Sequence, residues 1–339
     1  MRTLVVSDFH LGSVTGRDML RHRRVLEPLR EAVAEADRLV LLGDIVELAE
    51  GRPRRAMAAA REPLATLAAA LGRGREIVVV PGNHDHALVR PFVRGLRAGG
   101  RTLGLATRVP ATASPVLAAL VAALRPARVR VQYPGAWLAP GVYAHHGHYV
   151  DRHLLPRARG VLARGPLAPV PASGATPGDY ERGGRPPTDD GFELPEVVTD
   201  GLDVVSGAVR QATVRAMPFA GRLLRTETVA PRSAAALGWQ FRRAGLPAIA
   251  TVADGLGIRA RHLIFGHLHR AGPLPGDDPA EWRARGGRTA LHNTGSWVYE
   301  PLLLTGVTPP HPYWPGGAIV LEDDEPPRVV KLLDGVRLP

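Results

Sequence analysis

Short, nearly continuous apolar runs alternate with longer stretches of helical apolar spacing through the first quarter of the chain. Leu4–Val6, Leu39–Leu42 and Ile77–Val80 are built almost wholly of Leu, Ile and Val, the pattern of strands buried on both faces of a parallel sheet. Between them, Leu20–Glu35 has the spacing of an amphipathic helix, and Arg52–Leu71 reads as a long helix that stops at Gly72. Strands over Thr3–Ser7, Arg38–Leu42 and Glu76–Val80 thus alternate with helices, and two βα repeats in series predict a parallel sheet. After His86 the pattern loosens. A helix is predicted over Pro115–Leu124 and strands over Arg128–Tyr133 and Gly141–His145. From Asp151 to about Gly257 the character changes: Pro156–Pro195 is rich in Pro, Gly and Arg and reads as a long loop, and helical spacing returns over Leu202–Leu224 and Ser233–Leu256. Strands resume at His262–Phe265 and Thr289–Asn293, and Ala318–Leu321 and Arg328–Leu332 are expected to close a second sheet.

Residues able to ligate metals stand at the ends of these runs. Asp8-Phe9-His10 follows the first, Gly43-Asp44 the second and Gly82-Asn83-His84-Asp85 the third. His145-His146-Gly147-His148 ends the strand over Gly141–His145, and Gly266-His267-Leu268-His269 follows His262–Phe265. In an open α/β sheet, residues just past the carboxyl ends of strands converge on one crevice. Oxygen and imidazole donors are therefore predicted to meet at one sheet edge, in a set suited to divalent metals. Gly43, Gly82 and Gly266 are expected to permit the sharp turn that aims the next side chain at the crevice. Side chains alternate along a strand, so His145 and His146 are not expected to face the same ions. Taken singly, Asp8 has a simple reading as a turn or cap residue and His10 as a surface histidine. The prediction rests on all five clusters in order.

That ordered series resembles the calcineurin-like metallophosphoesterase superfamily, across Asp8 to His269. The resemblance implies an α/β fold, a four-layer αββα sandwich with a helical insertion. Residues 1–150 and 258–339 would form the catalytic domain, and residues 151–257 the insertion, either a lid or specificity cap or extra helices on the sheet face. It implies two divalent ions, Mn, Fe or Zn, with Asp8, His10 and His269 on the first, Asn83, His146 and His267 on the second, and Asp44 bridging. A hydroxide shared by the metals would be the nucleophile. His84 would assist the phosphoryl group or the leaving group, oriented by Asp85 or another carboxylate. The family's first histidine in the fourth cluster ligates, which selects His146 over His145; His148 either approaches the substrate phosphate or packs. His86 adjoins the site without an assigned role, and His22, His153, His262, His292 and His311 read as ordinary core or surface histidines. Asn293 to Ser296 matches a backbone turn found beside the metals in the superfamily. The stretch Leu41–Glu47 is similar to a Gly-Asp-hydrophobic-x-Glu motif of UDP-2,3-diacylglucosamine pyrophosphatases. A lipid-linked pyrophosphate thus stands as one candidate substrate beside a phosphorylated small molecule, although this chain is longer, with a larger insertion, and has His84 where some of those enzymes carry Arg.

Composition narrows the picture. The 339 residues include no cysteine, which excludes disulfides, a thiolate metal site and a cysteine nucleophile. No signal-peptide pattern precedes Asp8 and no apolar run approaches the ~18 residues of a membrane span, so a cytoplasmic enzyme without a transmembrane segment is expected. The formal net charge is +11, and all 43 basic residues except Lys331 are arginine. That charge motivates the alternative of a nuclease of the same superfamily. The arginines are dispersed, however, and aromatic residues make up 5% of the chain, which speaks against a stacking platform for nucleic acid. The complete donor series disfavours a non-catalytic scaffold and leaves hydrolysis of a phosphate ester or pyrophosphate as the expected activity.

Overall fold

The computed structural model of the chain describes residues 1–154, 169–182, 241–284, 286–323 and 325–338. The first elements follow the expected order: β1 (Thr3–Val6), α1 (Arg23–Ala34), β2 (Arg38–Leu42), α2 (Pro53–Leu71) and β3 (Glu76–Val80). Helix α1 starts later than its apolar spacing suggests, because Met19–Arg21 forms a 3-10 turn and His22 is extended. Pro53 opens α2, where its missing N–H costs nothing, and Gly72 ends it at φ 89°. Strands β1, β2 and β3 pair in parallel, so their carboxyl ends share one edge.

Helix α3 (Arg90–Ala98) and strand β4 (Ala106–Val109) have no counterpart in the sequence reading. Only Val93 and Leu96 of α3 are buried, too few to give a clear apolar stripe. After α4 (Pro115–Ala123), β5 spans Arg128–Ala139, well beyond the Tyr133 at which it was expected to stop. Pro134 suggests a strand end, yet here it marks a change of partner. β5 pairs with β3 up to Val131 and then, from Gly135, antiparallel with β6 (Val142–His145). The short helices α5 (Asp151–Leu154) and α6 (Pro177–Glu181) follow, then α7 (Leu246–Gly255). β7 (His262–Phe265) and β9 (Thr289–Asn293) continue parallel to β6, with β8 (Arg283–Ala284) at the edge. Beyond α8 (Pro301–Leu304), β10 (Gly317–Leu321) and β11 (Arg328–Lys331) correct an expectation: they do not close a second sheet. They pair antiparallel outward from β1, whose far side is free to accept a strand. The sheet order is β11-β10-β1-β2-β3-β5-β6-β7-β9-β8, with β4 on β5.

Strand alternation divides the core. Leu4, Val6, Leu39, Leu41, Ile77 and Val79 pack against Val25, Leu29 and Val33 of α1 and Leu64, Leu67 and Leu71 of α2. The alternate residues Val5, Val40, Leu42, Val78 and Val80 meet Ala136, Leu138, Val142, Ala144 and Ile264. The mixed sheet therefore curls at β5 until one part faces the other, and each fully buried Leu or Val adds about 1.5–3 kcal/mol. A third cluster sets Tyr143, Leu263, Phe265 and Leu291 against Leu246, Ile249 and Val252 of α7. Because β5 crosses from one part to the other, the parallel ends of β6 and β7 return to the edge where β1, β2 and β3 end. The expected helix over Leu202–Leu224, the start of that over Ser233–Leu256 and most of the loop over Pro156–Pro195 lie outside the described residues. Among the described residues no helix is long and apolar enough to cross a membrane.

Candidate metal centre

Every candidate donor here sits on the first residues past a strand end, and the backbone there is unusual. Among the described residues, the non-glycine positions with positive φ are Asp8 (56°), His10 (47°), Asp44 (53°), His267 (67°) and His269 (55°). Each costs on the order of 1–2 kcal/mol in a left-handed conformation that Asp and His tolerate better than most residues. All five belong to the sequence-predicted ligand set. Backbone hydrogen bonds hold the strain, with Asp8 N–H donating to Gly43 O at 3.0 Å and His10 N–H to Asp44 O at 2.8 Å. The sharp turns thus fall on the donors themselves more than on the glycines before them. Gly43 does have φ +84°, but Gly82 serves by lacking a side chain: a Cβ there would lie 2.3 Å from Asp44 Oδ1 and 2.5 Å from His146 Cδ2. Gly266 similarly leaves room for Ser7 Oγ and Asp8 Oδ2.

The fold gathers these donors into overlapping groups. Asp8, His10 and His269 offer ligand atoms all within 4.8 Å of one another, as do His10, Asp44 and His84, and Asp44, His146 and His267. Asp44 Oδ2 lies 3.8 Å from His10 Nε2 and 3.1 Å from His146 Nε2, and Asp8 Oδ1 lies 3.2 Å from His269 Nε2. For Asp44, Asp8, His10 and His146 the other polar atom is already engaged. Asp44 Oδ1 accepts from the His84 amide at 2.8 Å. Asp8 Oδ2 accepts from the His267 amide at 3.0 Å and from the Ser7 hydroxyl. His10 Nδ1 meets Glu47 Oε2 at 2.8 Å, and His146 Nδ1 donates to Leu42 O at 2.9 Å. What is left over, Asp8 Oδ1, His10 Nε2, Asn83 Oδ1 and His146 Nε2, is buried without a hydrogen-bond partner. Buried donors and acceptors are normally satisfied. The unsatisfied atoms of Asp8, His10 and His146 belong to the overlapping groups, an oxygen and imidazole set that fits divalent cations.

Electrostatics agree. Burial alone would raise the Asp44 and Asp8 carboxyls, but His146 above all, with His10 and His84 for Asp44 and His269 for Asp8, holds both below the usual carboxylate range. Burial would likewise depress His146, yet the charges of Asp44 and Asp8 push it up to about 10. Two buried carboxylates thus retain negative charge, compensated by imidazoles.

His84 lies at the mouth of this group and is partly exposed. Its Nδ1 meets Glu47 Oε1 at 2.8 Å and Oε2 at 2.9 Å. Burial opposes protonation, but Glu47 and Asp44 outweigh it and bring His84 to about 9; burial would raise Glu47 in turn, and His10 and His84 hold it at about 2. Asp85 sits elsewhere. Its carboxylate accepts from the backbone of Gly82 at 2.6 Å and Ile45 at 2.8 Å, and burial and Asp44 raise it to about 6. The carboxylate against His84 is therefore Glu47, a role the sequence left open. The signal available was its position three residues after Asp44. His145 is buried and, chiefly by burial, depressed to about 3; its Nδ1 accepts from the Gly147 amide at 2.9 Å. His148 lies inside the fold against His145, Tyr149 and Tyr133. His86 reaches Glu181 of α6 at 3.1 Å, and the same carboxylate accepts from Tyr133 at 2.5 Å and Tyr149 at 2.7 Å. This contact between a chain-distant helix and the residues beside the site carried no sequence signal.

Comparison with known proteins bears on this geometry. The family profile described as calcineurin-like phosphoesterase matches residues 1–151, a stretch that contains Asp8, His10, Asp44, Asn83, His84 and His146. No curated protein matches the chain in sequence. Among solved structures, a mutant cold-active protein tyrosine phosphatase aligns with TM-score 0.34 and 12% identity, covering 99% of this chain and 78% of that one. A dimetal phosphatase from Danio rerio aligns with TM-score 0.37 and 14% identity, covering 98% of this chain and 99% of that one.

Proposed function

We propose, from the calcineurin-like phosphoesterase profile over residues 1–151, that the chain is a metal-dependent phosphohydrolase whose dinuclear centre hydrolyses a phosphate ester or pyrophosphate bond. Asp8, His10 and His269 would hold one divalent ion, Asn83, His146 and His267 the other, with Asp44 shared. The observation that carries this reading is the convergence of two donor groups on Asp44 Oδ2, 3.8 Å from His10 Nε2 and 3.1 Å from His146 Nε2. When bound, such a pair supplies positive charge to phosphoryl oxygens and lowers the pKa of water at the site.

The chain's own residues account for the rest. Glu47 holds His84 by Nδ1, which directs Nε2 outward and favours the protonated imidazole that donates to a phosphoryl or leaving oxygen. Asp85 fixes the loop that presents Asn83 and His84 by tying Gly82 to Ile45. The three core clusters support a four-layer αββα arrangement with the catalytic body at 1–150 and 258–339. Within the 151–257 insertion, α7 is built into that body through the third cluster.

Metal analysis of the purified protein, combined with a panel of phosphomonoesters, phosphodiesters, nucleotide anhydrides and DNA, tests the proposal. Two ions per chain and metal-dependent hydrolysis of a non-nucleic-acid substrate are expected. Fewer than two ions at saturation would sink the dinuclear reading, and cleavage confined to DNA would replace it with a nuclease.

A further inference from the structure

We propose that Asp151 is a positioning residue for His267, a role that rests on the dinuclear reading. His267 Nε2 lies 2.9 Å from Asp151 Oδ1. A carboxylate on Nε2 fixes the proton there and leaves the Nδ1 lone pair as the metal-facing donor. The pattern matches two other candidate ligands with the nitrogens exchanged. His10 is held at Nδ1 by Glu47 and His146 at Nδ1 by Leu42 O, each leaving Nε2 over. His267 has a greater need of such support, because its φ is 67° and its backbone is held through the amide contact to Asp8.

The local chain explains how Asp151 arrives there. Gly147, at φ +115°, turns the strand end back, and a Cβ at that position would lie 3.3 Å from both Gly266 O and His267 Cβ. Gly266 N–H donates to His146 O at 2.8 Å, locking the fourth and fifth clusters together. The 3-10 turn His148–Val150 then delivers the Asp151 carboxylate to His267 Nε2. One six-residue stretch, His146 to Asp151, thus provides both a candidate ligand and the group that aims the ligand beside it. The Asp151 side chain is 43% exposed, so its removal opens no core cavity.

Titration of metal-depleted protein with Mn²⁺, followed by calorimetry, tests the role. Wild type is expected to bind two ions. Asp151→Ala should keep one site at wild-type affinity and weaken the other about 10–100-fold. Asp151→Asn, whose amide oxygen still accepts from Nε2–H, should recover most of the loss, and the metal-free melting temperature should match wild type in both variants. Two undiminished sites in Asp151→Ala overturn the positioning role alone, as does an equal loss in the Asn variant. A wild-type chain that binds no pair of ions overturns the dinuclear reading and this role with it.

Discussion

Glu47 is the residue that joins two of the proposed roles at the candidate site. Its fully buried carboxylate meets both His10 Nδ1 and His84 Nδ1 at 2.8 Å, so it serves a candidate ligand and a candidate proton donor together. His84→Ala should lower kcat by roughly 10²–10⁴-fold while leaving bound metal unchanged. Glu47→Ala should lower both, and the double variant should cost less than the sum of the singles. Steady-state kinetics with metal analysis of the three proteins checks this; additive losses would separate the two histidines. A different histidine reports on stability. His292, 6% exposed and 3.1 Å from His262, is depressed by burial and by His262 to about 3. Its unfolded value is near 6.5, so the unfolded chain takes up a proton first as pH falls. The contribution of the neutral ring is complete above about pH 6.5 and is lost progressively toward pH 3. Urea unfolding at pH 7 and pH 4.5 should show His292→Phe losing less stability on acidification than wild type, by on the order of 2 kcal/mol.

At the scale of elements, the strand ends must approach more closely than side chains normally permit. The loop after β3 passes the Asp44 and His146 side chains at a distance that only a glycine allows. Gly82→Ala should therefore displace both groups, destabilise the protein by about 1–3 kcal/mol and reduce metal content. A fully loaded, wild-type-stable Ala variant would show that the loop has slack. Element α6 makes a second kind of contact. Glu181 accepts hydrogen bonds from Tyr133 on β5 and from Tyr149 beside the fourth cluster while meeting His86, which docks part of the 151–257 stretch beside the candidate site.

For the whole molecule, the centre joins the two parts of the curled sheet: Asp8, Asp44 and Asn83 follow β1, β2 and β3, whereas His146 and His267 follow β6 and β7. Ions held between them would stabilise the folded state by mass action, since an unfolded chain cannot present these donors together. Thermal unfolding should shift to lower temperature on treatment with chelator and return on adding Mn²⁺ in excess. An unchanged melting temperature, with metal loss confirmed by elemental analysis, would mean that the site contributes nothing to holding the parts together.

The apolar runs and the residues that follow them were sufficient to locate β1, β2, β3, β7 and β9 and to single out Asp8, His10, Asp44, Asn83, His146, His267 and His269, because buried parallel strands and their carboxyl ends leave a local signature. The arrangement of those residues left none. That β5 continues through Pro134 and changes partner, that β10 joins β1, and that Glu47 rather than Asp85 faces His84 depend on contacts between residues far apart in the chain. The five strained donors could not be foreseen either: a residue adopts positive φ only when surrounding contacts over-determine it. Residue type and order are written locally, but partner choice and backbone strain arise when the sheet curls and brings distant strand ends together.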